Sequence, residues 1–174
     1  NQTITLSMED EVLKKYAGQC GYTPQRLGEG KKLWEKAEQA RYKQLTKRAE
    51  QITATRTYYE LKEKAHATYL HIIQTCRLAF VNDPALQFKL ELKGKRKHDH
   101  GGWTSQTNYF YNTILSLPDA MARLANYNVS REDLEAGKRE LYETIEASAQ
   151  KLNAIAESQR ATDWRNRALK ELRE

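Results

Sequence analysis

The second half of this chain spells out much of its first half again. Leu27-x-x-Gly30-Lys31-Lys32 runs straight into Leu33-Trp34-Glu35, and Leu134-x-x-Gly137-Lys138-Arg139 runs, after one extra residue, into Leu141-Tyr142-Glu143. Further along, Gln51 answers Gln159, and Leu61-Lys62-Glu63 answers Leu169-Lys170-Glu171. Likeness over so long a stretch predicts an internally duplicated architecture in which related segments stack on one another.

Those segments read as helices. Pro24, Pro84 and Pro118 stand where helices begin, and neither Gly nor Pro interrupts the chain between Lys31 and Asp83. A missing N–H costs nothing in a first helical turn, so Pro there marks a start. If unbroken, the first long helix would reach on the order of 85 Å at 1.5 Å per residue. Thr53-Ala54-Thr55-Arg56-Thr57 is its weakest stretch, because β-branched residues lose rotamer freedom in a helix, and a kink is expected there if anywhere. Leu27, Trp34, Ala37, Leu45, Ile52, Tyr59, Tyr69, Ile73, Cys76 and Phe80 form its apolar stripe. Earlier, Met8 to Ala17 reads as a short helix ended by Gly18 and Gly21.

Asp83-Pro84 opens another short helix through Leu92, residues 93–102 form a loop, and Trp103-Thr104 opens a helix carrying Tyr109, Phe110, Ile114 and Leu117. Ser130 with Asp133 has capping-box spacing. From Leu134 the stripe then runs through Leu141, Ile145, Ser148, Leu152, Ile155, Gln159, Thr162, Asn166 and Leu169, from Leu141 onward at alternating steps of four and three. Both stripes turn polar in the middle, near Arg48–Thr55 and Gln159–Asn166, where a polar layer would fix register. The expected fold is all-α: an elongated antiparallel helical hairpin or bundle of two long helices with short capping helices, internally duplicated. One domain spanning 1–174 is expected, with a first repeat over about 8–82, connecting helices and a basic loop over 83–117, and a second repeat over about 118–174. The chain opens at Asn1 and stops at Glu174 within the helical pattern, so an incomplete second repeat is expected.

Composition narrows the classes of function. Charged residues are 30% and hydrophobic ones 39% of the 174, which suits solvated helices that each bury one narrow stripe. The net charge is +6, but acidic and basic residues alternate along the helices and read mainly as solvated faces with i,i+4 pairs. Cys20 and Cys76 have neither CxxC spacing nor further partners, so a reducing, cytoplasmic setting is expected without disulfide or zinc. No run approaches the roughly 18 apolar residues a membrane span needs.

One stretch departs from the mixing of charge. Lys93, Lys95, Arg96, Lys97, His98 and His100 form a basic loop, with Trp103 close behind. Cations for phosphate and rings for stacking are what binding to nucleic acid or an anionic surface requires. His98-Asp99-His100 alone is a weak metal clip. Glu63-x-x-His66, with Glu60 a turn earlier, resembles one quarter of a di-metal helical bundle, yet the second copy carries Glu171 and Glu174 at the matching places. No nucleophile–base arrangement or phosphate-cradling glycine loop is spelled out, so catalysis, a metal and a cofactor are not expected.

At Gly21-Tyr22-Thr23-Pro24, Leu27-x-x-Gly30, Gly94 with Arg96, Gly102-Trp103-x-x-Gln106, Phe110-Tyr111 and Leu134-x-x-Gly137, the chain resembles an uncharacterised family of all-helical bacterial proteins built from two related halves. That resemblance implies the fold and no activity. The leading expectation is a non-enzymatic helical scaffold or protein–protein interaction module, a homodimer or a partner to another protein. Its interface candidates are Trp34, Tyr59, Tyr69, Phe80, Tyr142 and Trp164. Binding of nucleic acid or an anionic surface through Lys93–His100 is the alternative, and a metal-binding bundle using Glu60, Glu63 and His66 the lesser one.

Overall fold

A computed structural model describes residues 10–173. It is all-α, with helices α1 (Glu11–Gln19), α2 (Pro24–Ala79), α3 (Pro84–Lys89), α4 (His100–Leu115), α5 (Pro118–Ala125) and α6 (Arg131–Glu171). The two long helices, α2 and α6, pack antiparallel with the shorter helices. Met8 and Glu9, expected in the first short helix, lie outside the described residues, and Asp10 caps that helix by accepting from Val12 N at 2.8 Å.

Local chemistry explains the boundaries. Thr23 Oγ1 accepts from Arg26 N at 3.3 Å and Pro24 takes the first position of α2. Ser130 and Asp133 form the reciprocal box, Ser130 N donating to Asp133 Oδ2 at 2.9 Å and Asp133 N to Ser130 Oγ at 3.1 Å. Leu27 and Leu134 are therefore each the fourth residue of a long helix. Helix α2 continues without interruption through Thr53–Thr57. Helix α4 opens earlier than the sequence predicts, at His100 instead of Trp103, because Asp99 caps it by accepting from Gly102 N at 2.6 Å. A Gly-Gly pair masks that start in the sequence, since glycine alone argues for loop.

Contacts gather the described residues into two compact units, 54–151 and 10–53 with 152–173. The first, here the aromatic unit, holds the larger core. Tyr69, Phe80, Trp103, Phe110 and Tyr111 are buried there with Ile73, Cys76, Leu124, Leu134 and Leu141. Tyr69 and Phe110 meet edge-on at 5.6 Å between centroids, as do Phe110 and Tyr111 at 5.4 Å, each pair adding about 0.5–1.5 kcal/mol beyond area burial. Gln87 secures the turn after α2 by donating to Phe80 O at 2.7 Å. Arg123 donates to Ala79 O at 3.0 Å and to Asp83 Oδ2 at 2.8 Å, with its guanidinium 4.8 Å from the Phe80 ring centre. Tyr111 lies across Gly137: a Cβ built there would stand 2.8 Å from Tyr111 Cζ and closer still to the hydroxyl. Lys64 pairs with Glu140 at 3.0 Å across the two long helices.

The second, the alanine unit, is thin. Its buried core is Ala37, Ala40 and Ala168, with Trp164 and Leu169 packed against them. Its helices are tied by polar groups: Lys36 pairs with Glu171, and Lys47 reaches both Glu50 and Glu157 at 2.7 Å. Hydrogen bonds from Lys47 to the two carboxylates raise its pKa, and the same contact lowers that of Glu157. The expected stripe is corrected here. Leu45 and Ile52 are 56% and 59% exposed, as is Leu152 at 61%, while Ala37 is buried as the stripe expects and Ala40, Gln44, Lys47 and Gln51 turn inward beside it. One residue is 100° on a helix, so an apolar pattern beside an alanine pattern admits two seams, and the narrower one closed.

Candidate functional site

The basic loop does not stand free of the fold. Arg96, expected as a binding cation, donates to Tyr69 Oη at 2.9 Å and also to Glu91 O. Lys97 N donates to Gln106 Oε1 at 3.1 Å. His100 Nδ1 lies 3.1 Å from Tyr58 Oη, and Trp103 Nε1 donates to His66 Nδ1 at 3.0 Å. The loop is thus laid along α2, with Arg96 at Tyr69, Trp103 at His66 and His100 at Tyr58. Lys93, Lys95, Lys97 and His98 keep exposed side chains.

Behind the loop lies a cluster the sequence did not single out. Lys151 Nζ sits 3.9 Å from the Tyr58 ring centre and 5.5 Å from that of Tyr59. Lys62 Nζ lies 6.0 Å from the Tyr58 ring and 5.7 Å from the Trp103 ring. Both lysines are partly buried. Desolvation lowers the pKa of His100, and Lys62 and Lys151 lower it further. Desolvation likewise depresses His66, helped by His98 and Lys62. Because an indole N–H only donates, His66 Nδ1 must accept, which leaves the proton of the neutral ring on Nε2. Lys62 thus stands between the Tyr58 ring, with Lys151 and His100 beside it, and the Trp103 ring that donates to His66. A signal for it exists in the sequence, Tyr58, Lys62 and His66 being spaced by four, but Lys151 joins only through the antiparallel packing of α6.

The metal readings find little geometry. Asp99 is committed to capping α4 and His100 to Tyr58. Glu60 faces Arg56 at 3.7 Å, Glu63 is exposed, and His66 bonds Trp103. Glu174 lies outside the described residues. Among those described, no three His, Cys, Asp or Glu side chains stand where they would share a metal ion, and no helix is long and apolar enough to cross a membrane.

Of the expected interface residues, Tyr69 and Phe80 are corrected to core: both are wholly buried in the aromatic unit, since the last turns of α2 are covered by α3 to α5. Trp34 and Trp164 are half-buried, Trp164 beneath Lys43 Nζ at 5.2 Å. Tyr59 and Tyr142 are exposed. Phe88, which the sequence reading passed over, is 87% exposed on the outer side of a short helix whose Gln87 turns inward. Compared with protein-family models, curated proteins and solved structures, the chain matches none.

Proposed function

We propose that this chain is a non-enzymatic helical interaction module that self-associates through the outer face of α2. The observation that carries this reading is the exposed series Tyr42, Leu45 and Ile52, at steps of three and seven, with Ala49 between. Below it the buried cluster of the alanine unit is built on small side chains, Ala37, Ala40 and Ala168, with Ala161 also buried. An apolar stripe at heptad spacing is the seam of a helix pair. A second copy fits the flanks. In a parallel, in-register pair Leu45 meets Leu45 and Ile52 meets Ile52, while Arg41 and Arg48 come opposite Thr46 and Thr53 instead of one another. An antiparallel pair would bring the two Arg48 side chains together, which like-charge repulsion disfavours.

Light scattering during size-exclusion chromatography tests this on the full chain. The wild type should elute with twice the chain mass and Leu45→Glu/Ile52→Glu with the single mass, at unchanged helicity. A wild type of single mass, or a variant still of double mass, removes the reading. We also read the internal likeness as duplication of an ancestral half. The support is that both Leu-x-x-Gly copies start at the fourth residue of a long helix behind a Thr or Ser cap.

A further inference from the structure

We propose that Lys62, Lys151 and His100, grouped around Tyr58, bind a small phosphate-bearing anion of which pyrophosphate is the simplest probe. The site is independent of self-association and lies wholly within the aromatic unit.

Two ammonium groups from two helices approach one ring, 3.9 and 6.0 Å from its centre. Among the described residues neither makes an ion pair, although Lys36, Lys47 and Lys64 all do. The Asp99 carboxylate beside His100 accepts from the Gly102 N–H and pairs with neither lysine. Aromatic faces compensate a partly buried cation weakly, by about 0.5–1 kcal/mol at such sites. Two ammonium groups without ion pairs outweigh the Asp99 carboxylate that acts on His100, so the local potential stays positive, and a multiply charged oxyanion matches it best. Its oxygens would accept from both Nζ atoms.

A compact ligand suits the site better than a polynucleotide. The donors surround a single ring instead of tracking a backbone. Arg96, the loop side chain whose planar fork best suits phosphate, is already used by Tyr69 and Glu91.

Isothermal titration of the full chain with sodium pyrophosphate at low ionic strength tests the inference. Saturable one-to-one binding is expected, weakened about tenfold or more in Lys62→Gln and in Lys151→Gln and kept in Lys62→Arg and in Lys95→Gln/Lys97→Gln. Each variant is first checked for wild-type helicity and melting. Absence of saturable heat from the wild type overturns the proposal, as does binding at wild-type affinity by either single glutamine variant. So does a single-stranded oligonucleotide that binds, is lost on Lys95→Gln/Lys97→Gln, and is not displaced by pyrophosphate. These outcomes are read at constant oligomeric mass, so failure here leaves self-association standing, and the reverse holds too.

Discussion

The aromatic unit and the alanine unit contain parts of the same two long helices, yet they are held by different physics. In the aromatic unit three shorter helices cover the pair, and rings as large as Trp103, Tyr69 and Tyr111 have room to be buried. In the alanine unit Ala37, Ala40 and Ala168 line the seam, and charges such as Lys47 with Glu157 hold register. Burial of apolar area scales with side-chain size, at about 25 cal/mol per Å², whereas exposed ion pairs contribute little. One pair of helices thus carries a firm region and a weakly held region. Amide exchange should follow that division, with slow exchange over 69–76 and 107–114 and faster exchange over 40–50 and 158–166.

Substitutions sharpen the contrast. The largest effect is expected from Phe80→Ala, at about 3–5 kcal/mol, against about 1 kcal/mol for Ala40→Gly; urea denaturation measures both. Similar losses from the two would mean that the alanine seam matters as much as the ring cluster. The same change at two glycines should differ in sign. Gly137→Ala drives a methyl into Tyr111 and should cost about 1–3 kcal/mol, whereas Gly28, with nothing within 4 Å of its would-be Cβ, should gain about 0.5–1 kcal/mol on becoming Ala.

Acid should act first on the aromatic unit. His66 and His100 have folded pKa values below the ordinary 6.5, chiefly through desolvation. The unfolded chain therefore binds more protons over that window. Their contribution to stability is complete above 6.5 and is lost as pH falls towards the depressed values. Imidazole resonances followed by NMR, beside melting curves between pH 7.5 and 5, will show whether protonation and destabilisation coincide. The smallest effect is expected from Lys47→Ala, a slight change in melting that disappears in high salt.

Thiol chemistry draws the division again. Burial pushes Cys76 up to about 12, while Cys20 is exposed. A thiol reagent should modify Cys20 at once and Cys76 only when the aromatic unit opens.

Helix positions and caps were largely legible in the sequence because they rest on local chemistry: Pro24, Pro84 and Pro118, the Ser130–Asp133 box, and unbroken runs between glycines. The seam was not. Leu45, Ile52 and Leu152 look like core by hydrophobicity, and only the partner helix decides that Ala40, Gln44 and Lys47 face inward instead. Tyr69 and Phe80 were misread for the complementary reason, since the short helices that cover them come from distant parts of the chain. The basic loop was visible as composition, but Arg96 turned out to be structural, and the cations without anions, Lys62 and Lys151, sit on the two long helices. Neither stands out locally among so many lysines.

The notch at Gly137 has a consequence beyond this one chain. Because the Tyr111 ring fills the space where a side chain would begin, neither position can drift alone. A substitution at 137 is tolerated only with a smaller residue at 111, and a larger ring at 111 requires glycine to stay. In any lineage of chains folded this way, the two positions should change as a pair, joined across 25 residues of intervening sequence by a single steric constraint.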